Sequence, residues 1–298
     1  MAIDKTKKLR SKSTSARSTI KTPHAGAPAV PAIPKTYTIG VSDSTSGEKI
    51  IIYGDTGIGK TSLVPLAPKP VIIPLDQGSD NIRHPLTNEK LPQVNDVNTF
   101  ADLRAVCQQP QIFANNTVVA IDTITKAEDL CHQYMFDTIL HEKGQRVSSI
   151  EGYGYGKGYR HLYDTMTLLL MDLDILVRAG LNVVLIAQSI SRSIANPGGE
   201  DYLREGPRLY PGSKNLPPVD ELYCEWANHV LYVGHEFSFV KDKKISGDVQ
   251  RAIFAQPELH FRAKSRQLKD GSKLPDVISY SDPSDDSLWA FIFGTEKE

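Results

Sequence analysis

The apolar run Ile50-Ile51-Ile52-Tyr53 opens directly onto Gly54-Asp55-Thr56-Gly57-Ile58-Gly59-Lys60-Thr61-Ser62. No other stretch of the chain limits its fold as tightly. Residues Gly54 to Thr61 fit the pattern G-x-x-x-x-G-K-[ST] without a mismatch. Glycines let such a backbone turn sharply, so that successive N–H groups point inward at phosphate oxygens. The pattern predicts a strand before the loop and a helix from Lys60-Thr61-Ser62 onward, whose N-terminal dipole adds to the cradle. In that frame Lys60 reaches the β- and γ-phosphates and the Thr61 hydroxyl ligates Mg²⁺.

The 298 residues suffice for one large α/β domain with a buried core. Further apolar runs at 69–76, 116–123 and 182–189 read as strands covered on both faces. Helical patterns lie between them at "TFADLRAVCQQ", "KAEDLCHQYMFDTILHEKG" and "GYRHLYDTMTLLLMDLDILVRAG", the last stopped by Gly180. Strands alternating with helices imply a mostly parallel central sheet flanked by helices, built from right-handed crossovers. Strands expected at "HVLYVGHEF" and "QRAIFAQPELHFRAK" are closer in sequence and suggest a small C-terminal β extension.

A phosphate loop needs a carboxylate to complete the magnesium shell. Asp122 ends "TVVAID", at the strand edge where ligands of such sheets bind; it also suits a helix N-cap, as does Thr123. Hydrolysis needs a group that orients or deprotonates water. Asp76 ends the second strand, with Asp80 close behind, and fits that role or that of a turn former. Gln188, at the tip of the fourth strand, is placed to sense a γ-phosphate through its amide. A Ras-type enzyme would carry N/T-K-x-D after a strand. The nearest string, "TKAE" at 125–128, lacks the Asp, so ATP is the expected nucleotide.

The net charge of −1 hides an asymmetry. Residues 1–35 carry about +7, with Ser, Thr, Ala and Pro throughout, and are expected to be a disordered arm ahead of a domain at 36–298. The arm reads as a nucleic-acid contact or as a solubilising tail. Two loops are unusual. "IEGYGYGKGYRHLYD" interleaves tyrosines with Lys157 and Arg160, a pairing suited to stacking on bases and meeting phosphates. The segment 189–214 holds Arg192, Arg204, Arg208 and Lys214 among turn residues, but also Glu200, Asp201 and Glu205. It reads as a DNA-contacting loop, a docking site for a protein, or a packed excursion. Lys264 and Arg266, near the end of "LHFRAKSR", suit either a solvated strand end or cations entering a neighbouring subunit's site. Cys107, Cys131 and Cys224 lack zinc or disulfide spacing and read as reduced thiols of a cytoplasmic protein. No run approaches a membrane span, and the basic N-terminus lacks the apolar core of a secretory leader.

Together "GDTGIGKTS", "IPLDQG", "VVAIDT", "GYGKGY", "VVLIAQS", "NPGGEDYLREGPRLY", "EWANHVLYV" and "AKSRQLKDGSKLP" resemble the phage-encoded ATP-binding proteins of the RecA-like P-loop class, an AAA-type group. The likeness runs from about Lys49 to Ile278. It implies a RecA-like ATPase fold and a ring or filament of identical subunits. Some members act in single-strand annealing or recombination, so it also implies single-stranded DNA and a single-strand DNA-binding protein as partners. It further implies that Lys264 and Arg266 act across a subunit boundary. The chain departs from the group's pattern at Asp76, where Glu is usual, at Gln188, where His is frequent, and at Ser265, which replaces Asn. The shorter carboxylate at Asp76 is compatible with slow or DNA-stimulated turnover.

Overall fold

The structure, a computed structural model, describes residues 45–294 apart from 77, 79, 80, 214, 237, 238, 242, 243, 247–249 and 281. The expected basic arm, the first residues of the 36–298 domain, Asp80 and Lys214 lie outside the described residues.

The strands in chain order are β1 (Lys49–Gly54), β2 (Pro70–Pro74), β3 (Val118–Asp122), β4 (Asn182–Ile194), β5 (Tyr202–Pro207), β6 (His229–His235), β7 (Phe239–Lys241), β8 (Lys244–Ser246), β9 (Arg251–Phe254), β10 (Lys264–Ser265) and β11 (Val277–Tyr280). Among the described residues nine of them share one sheet, ordered β11-β9-β6-β1-β4-β3-β2, with β5 on β4 and β10 on β6. β2, β3, β4, β1 and β6 run parallel. β9, β10 and β11 join antiparallel, as the expected C-terminal β extension, whereas β6, expected to belong with them, runs parallel to β1 inside the central sheet. β5 joins antiparallel on β4. Among the described residues β7 and β8 pair only with each other.

The parallel strands are apolar throughout because both faces are covered. Along β1, Ile51 and Tyr53 face a core shared with α1 (Phe100–Cys107), α2 (Ile124–Thr138) and α3 (Lys157–Arg178). Ile50 and Ile52 face the opposite core, with Leu63, Val64 and Trp289. Local signals set the helix ends. Thr99 and Asp102 close a capping box on α1, and the Thr123 hydroxyl accepts the Lys126 N–H at the start of α2. Gly180, with φ of +91°, ends the turn after α3. The three cysteines are free and buried. None of the described helices is long and apolar enough to cross a membrane.

Several expectations need correction. The helix expected after the phosphate loop is only a 3-10 turn, Thr61–Leu66. Pro65 has no N–H to donate to the carbonyl four residues back, so an α-helix cannot propagate through it. The polar loop expected at 189–214 begins as a β-hairpin. β4 continues to Ile194 and returns as β5, with Ser189 opposite Pro207 and Ile194 opposite Tyr202. Asn196-Pro197-Gly198-Gly199 supplies the turn residues. The strand expected across 250–264 is split into β9 and the two-residue β10. The tyrosine-rich loop holds a short 3-10 turn at Ile150–Tyr153, and α3 already starts at Lys157. Two helices, α4 (Val219–Trp226) and α5 (Ser287–Phe293), were not anticipated; each is too short for its periodicity to stand out.

A polar cluster fixes the base of the hairpin. Arg192 pairs with Asp220 of α4 and donates to the Leu209 carbonyl. Glu128 of α2 accepts the Tyr210 N–H at 2.8 Å. Burial pushes the Glu128 carboxyl up to about 7, against the lowering effect of that hydrogen bond. Between its ordinary value of 4.5 and about 7, the unfolded chain releases this proton while the folded chain keeps it. Stability therefore falls as pH rises through that window. Glu128→Gln keeps an acceptor for Tyr210 without the charge. It should match the parent protein near pH 4 and exceed its stability by up to about 3 kcal/mol near pH 8. Urea unfolding at both pH values checks this; an equal effect at the two would contradict it.

Candidate nucleotide site

β1 lies between β4 and β6, and its last residue, Gly54, is level with Gln188 and Val233. The phosphate loop thus springs from the middle of the parallel sheet at its C-terminal edge. A Cβ on Gly54 would lie 2.4 Å from the Val233 carbonyl oxygen, so only glycine fits this exit. Asp55, Thr56 and Gly57 are exposed along the loop, Ile58 turns into the core, and Ser62 is exposed just beyond it.

Lys60 is buried, and its ammonium donates to the carbonyls of Gly54 at 2.9 Å and Asp55 at 2.7 Å. Burial holds it below the ordinary lysine range, with Asp122 and Asp55 acting in the opposite sense. The Thr61 hydroxyl donates to Asp122 Oδ2 at 3.0 Å. Asp122 ends β3, one strand beyond β4, so this bond bridges the sheet edge. Burial raises the Asp122 carboxyl above the usual range, and the Asp76 charge adds to the rise; the Thr61 hydrogen bond and Lys60 lower it. The Asp76 charge is thus felt at Asp122. β2 and β3 lie side by side, and the Leu75 N–H donates to the Asp122 carbonyl at 2.8 Å.

These groups fit the cofactors implied by the loop. The Thr61 hydroxyl and the Asp122 carboxylate are hard oxygen donors within hydrogen-bond distance of each other. Mg²⁺ takes one or two such protein oxygens and completes its octahedron with phosphate and water. A divalent cation there would also relieve the cost of keeping Asp122 ionised among Asp76 and buried surroundings.

Gln188 is expected to end its strand, but β4 runs on past it, so it sits mid-strand beside the loop, level with Gly54. Its N–H donates to Thr125 Oγ1 at 3.1 Å, and its carbonyl accepts the Arg208 N–H at 2.8 Å. The Ser189 hydroxyl donates to Glu205 of β5 and lies 3.4 Å from Asp55 Oδ1. Ser191, directly opposite Glu205, donates to the same carboxylate. The Tyr53 hydroxyl donates to the Arg262 carbonyl and accepts the Arg262 N–H at 3.0 Å. Loop and hairpin are thus tied by side chains. Sequence reasoning missed Ser189 and read Glu205 only as an acid of the loop, because only the hairpin register shows that they meet.

The other expected residues fall elsewhere. Arg192 is engaged within the fold by Asp220. Arg204 stands opposite it across the hairpin, its Nε buried with no hydrogen-bond partner among the described residues, and Arg208 is exposed. Lys157 pairs with Glu142, and Arg160 with Asp164 at 3.5 Å. Lys264 is level with Val230, at the end of β6 remote from the loop. Its ammonium donates to the carbonyls of Cys224, Glu225 and Ala227 at 2.6–3.1 Å, capping the C-terminus of α4. Arg266 is exposed beside it. The fold therefore gathers Gly54–Ser62, Asp76, Asp122 and Gln188, and leaves Lys264 and Arg266 at the opposite sheet edge. A cation that does meet the loop is Arg251, the first residue of β9, with Nη1 3.5 Å from the Ile58 carbonyl. Nothing in its local sequence marks it.

None of the curated proteins compared with the chain matches it. A family model described as an AAA domain matches residues 46–267. The match takes in the phosphate loop, Asp122, Gln188, the hairpin and β6. The chain therefore belongs to the AAA domain family of P-loop ATPases.

Proposed function

We propose that this protein binds and hydrolyses ATP with Mg²⁺, and that its nucleotide state sets its grip on single-stranded DNA during recombination, annealing or replication. One observation carries the reading. β4 holds Gln188 and Ser189 beside the phosphate loop and then runs on, unbroken, as the first arm of the hairpin. A change at the loop has a stiff path to that arm.

In this reading the loop amides and Lys60 bind the triphosphate, and Thr61 and Asp122 would hold Mg²⁺, which supplies charge neutralisation at the phosphates. Asp76 orients and deprotonates the attacking water. Gln188 responds to the γ-phosphate, and Ser189 passes the response to Glu205. Arg208 and Arg160, both exposed, offer phosphate contacts. Subunits associate into a ring or filament in which exposed Arg266 enters the neighbour's site; Lys264, committed to the end of α4, positions that segment. A single-strand DNA-binding protein is the natural source of such a substrate.

A second reading keeps the ATPase and makes the hairpin a docking arm for a protein. Leu203 is 65% exposed on it, and Glu200 and Asp201 lie at its tip.

A DNA titration across salt and nucleotide state separates the two. The DNA reading expects affinity that changes with nucleotide and falls steeply with salt; no DNA affinity in any nucleotide state would overturn it. Lys60→Ala should abolish nucleotide binding with the fold intact. Asp76→Asn should spare binding and lower turnover by about a hundredfold or more; unchanged turnover would remove Asp76 from the mechanism. Asp122→Asn removes a buried charge that the nucleotide-free fold tolerates poorly. It should raise the melting temperature without nucleotide while abolishing Mg²⁺-dependent turnover, and a lowered melting temperature would contradict the electrostatic assignment.

A further inference from the structure

The phosphate loop here has a weak helix behind it. Aligned peptide dipoles normally bring about half a positive charge to the N-terminus of the following α-helix. Pro65 limits that element to a single 3-10 stretch, Thr61–Leu66, with Lys60 at its N-cap position. The dipole support is correspondingly small, although a triphosphate carries several negative charges.

Arg251 stands where that support is missing. Its Nη1 is 3.5 Å from the Ile58 carbonyl. A Cβ on Gly59 would lie 2.7 Å from the same nitrogen, so the guanidinium packs directly against the Gly59 backbone, and the φ of +100° there is one that favours glycine. The guanidinium sits 5.3 Å from the centre of the Tyr280 ring. Tyr280 is only 5% exposed, and its buried hydroxyl has no hydrogen-bond partner among the described residues. That hydroxyl is 3.9 Å from the same Gly59 Cβ position. No described carboxylate forms an ion pair with Arg251, unlike Arg104, Arg192 and Arg262, which all meet acids. A partly buried guanidinium without a carboxylate, seated on an aromatic ring against a phosphate loop, has its charge free to act on an anion.

We propose that Arg251, held on Tyr280, is a positioning residue of the nucleotide site. Its charge braces Ile58-Gly59 and supplies the positive potential that the truncated helix does not. The ligand class is a nucleoside di- or triphosphate, and the inference rests on the ATP-binding reading. Arg251 and Tyr280 come from β9 and β11, so the antiparallel extension is part of the site rather than an appendage to it.

Calorimetric titration of the full chain with ATP and Mg²⁺ at two salt concentrations tests this, with thermal melts to verify folding. Arg251→Gln should bind ATP about tenfold more weakly or worse, with a shallower salt dependence. Arg251→Lys keeps the charge, which an ammonium can also seat on an aromatic ring, and should stay within about threefold of the parent. A merely structural arginine would leave the salt dependence unchanged. Equal affinity and equal salt dependence for Arg251→Gln would overturn the proposal. So would a folded Arg251→Lys with a tenfold or greater loss, and that variant decides the matter if Arg251→Gln does not fold. If the parent protein binds no ATP, the ATPase reading itself fails; if it binds and Arg251→Gln binds equally, only this inference fails.

Discussion

The hydrogen bond between Thr61 and Asp122, 3.0 Å long, joins the loop after β1 to the end of β3 across β4. It depends on register. β1 aligns with β4, and β4 with β3, so that the ends of β1 and β3, at Gly54 and Asp122, come level with Gln188 and Ile186 of β4. That register is in turn fixed by burial, since slipping a strand by one residue would turn each side chain to the opposite face. Ile50 and Ile52 belong to one core, and Ile51 and Tyr53 to the other. The cost of the arrangement is an acid kept in a place that disfavours its charge. Burial and Asp76 both raise the Asp122 carboxyl, while Thr61 and Lys60 lower it. A site balanced in this way gains most from a cation.

β4 gives the site its reach. Its buried half, up to Ala187, is core; beyond Gln188 it leaves the core and becomes one arm of the hairpin. Glu205 draws Ser189 and Ser191 to one carboxylate, and Asp220 anchors Arg192 to α4. The hairpin base is therefore held from both sides, and its tip projects with Leu203 exposed. In the proposed reading this element, tied at the loop and open at its far end, would carry the nucleotide state to a partner.

Much of this was legible in the sequence because the relevant signals are local. The glycine spacing and Lys60-Thr61 identify the loop, and apolar runs ending near Asp76 and at Asp122 identify the ends of β2 and β3; Gln188, read as a strand end, lies mid-strand in β4. What was not legible depends on pairing between distant segments. Pro65 was visible, yet the expectation of a helix followed the loop pattern and ignored it. The 189–214 segment read as a loop because its serines and acids mask the alternation, and only the register shows Ser191 facing Glu205. Arg251 was invisible because it reaches Ile58 from 193 positions away. Lys264 looked like a free cation in the sequence, but in the fold it caps α4.

The central claim is that the loop amides, Lys60, Thr61 and Asp122 hold a single Mg²⁺–triphosphate group. Calorimetric titration of the full chain with ATP, with Mg²⁺ present and with Mg²⁺ chelated, tests it most directly. The account expects saturable binding with Mg²⁺ and markedly weaker binding once the metal is removed. No binding in either condition, or identical binding in both, would contradict it.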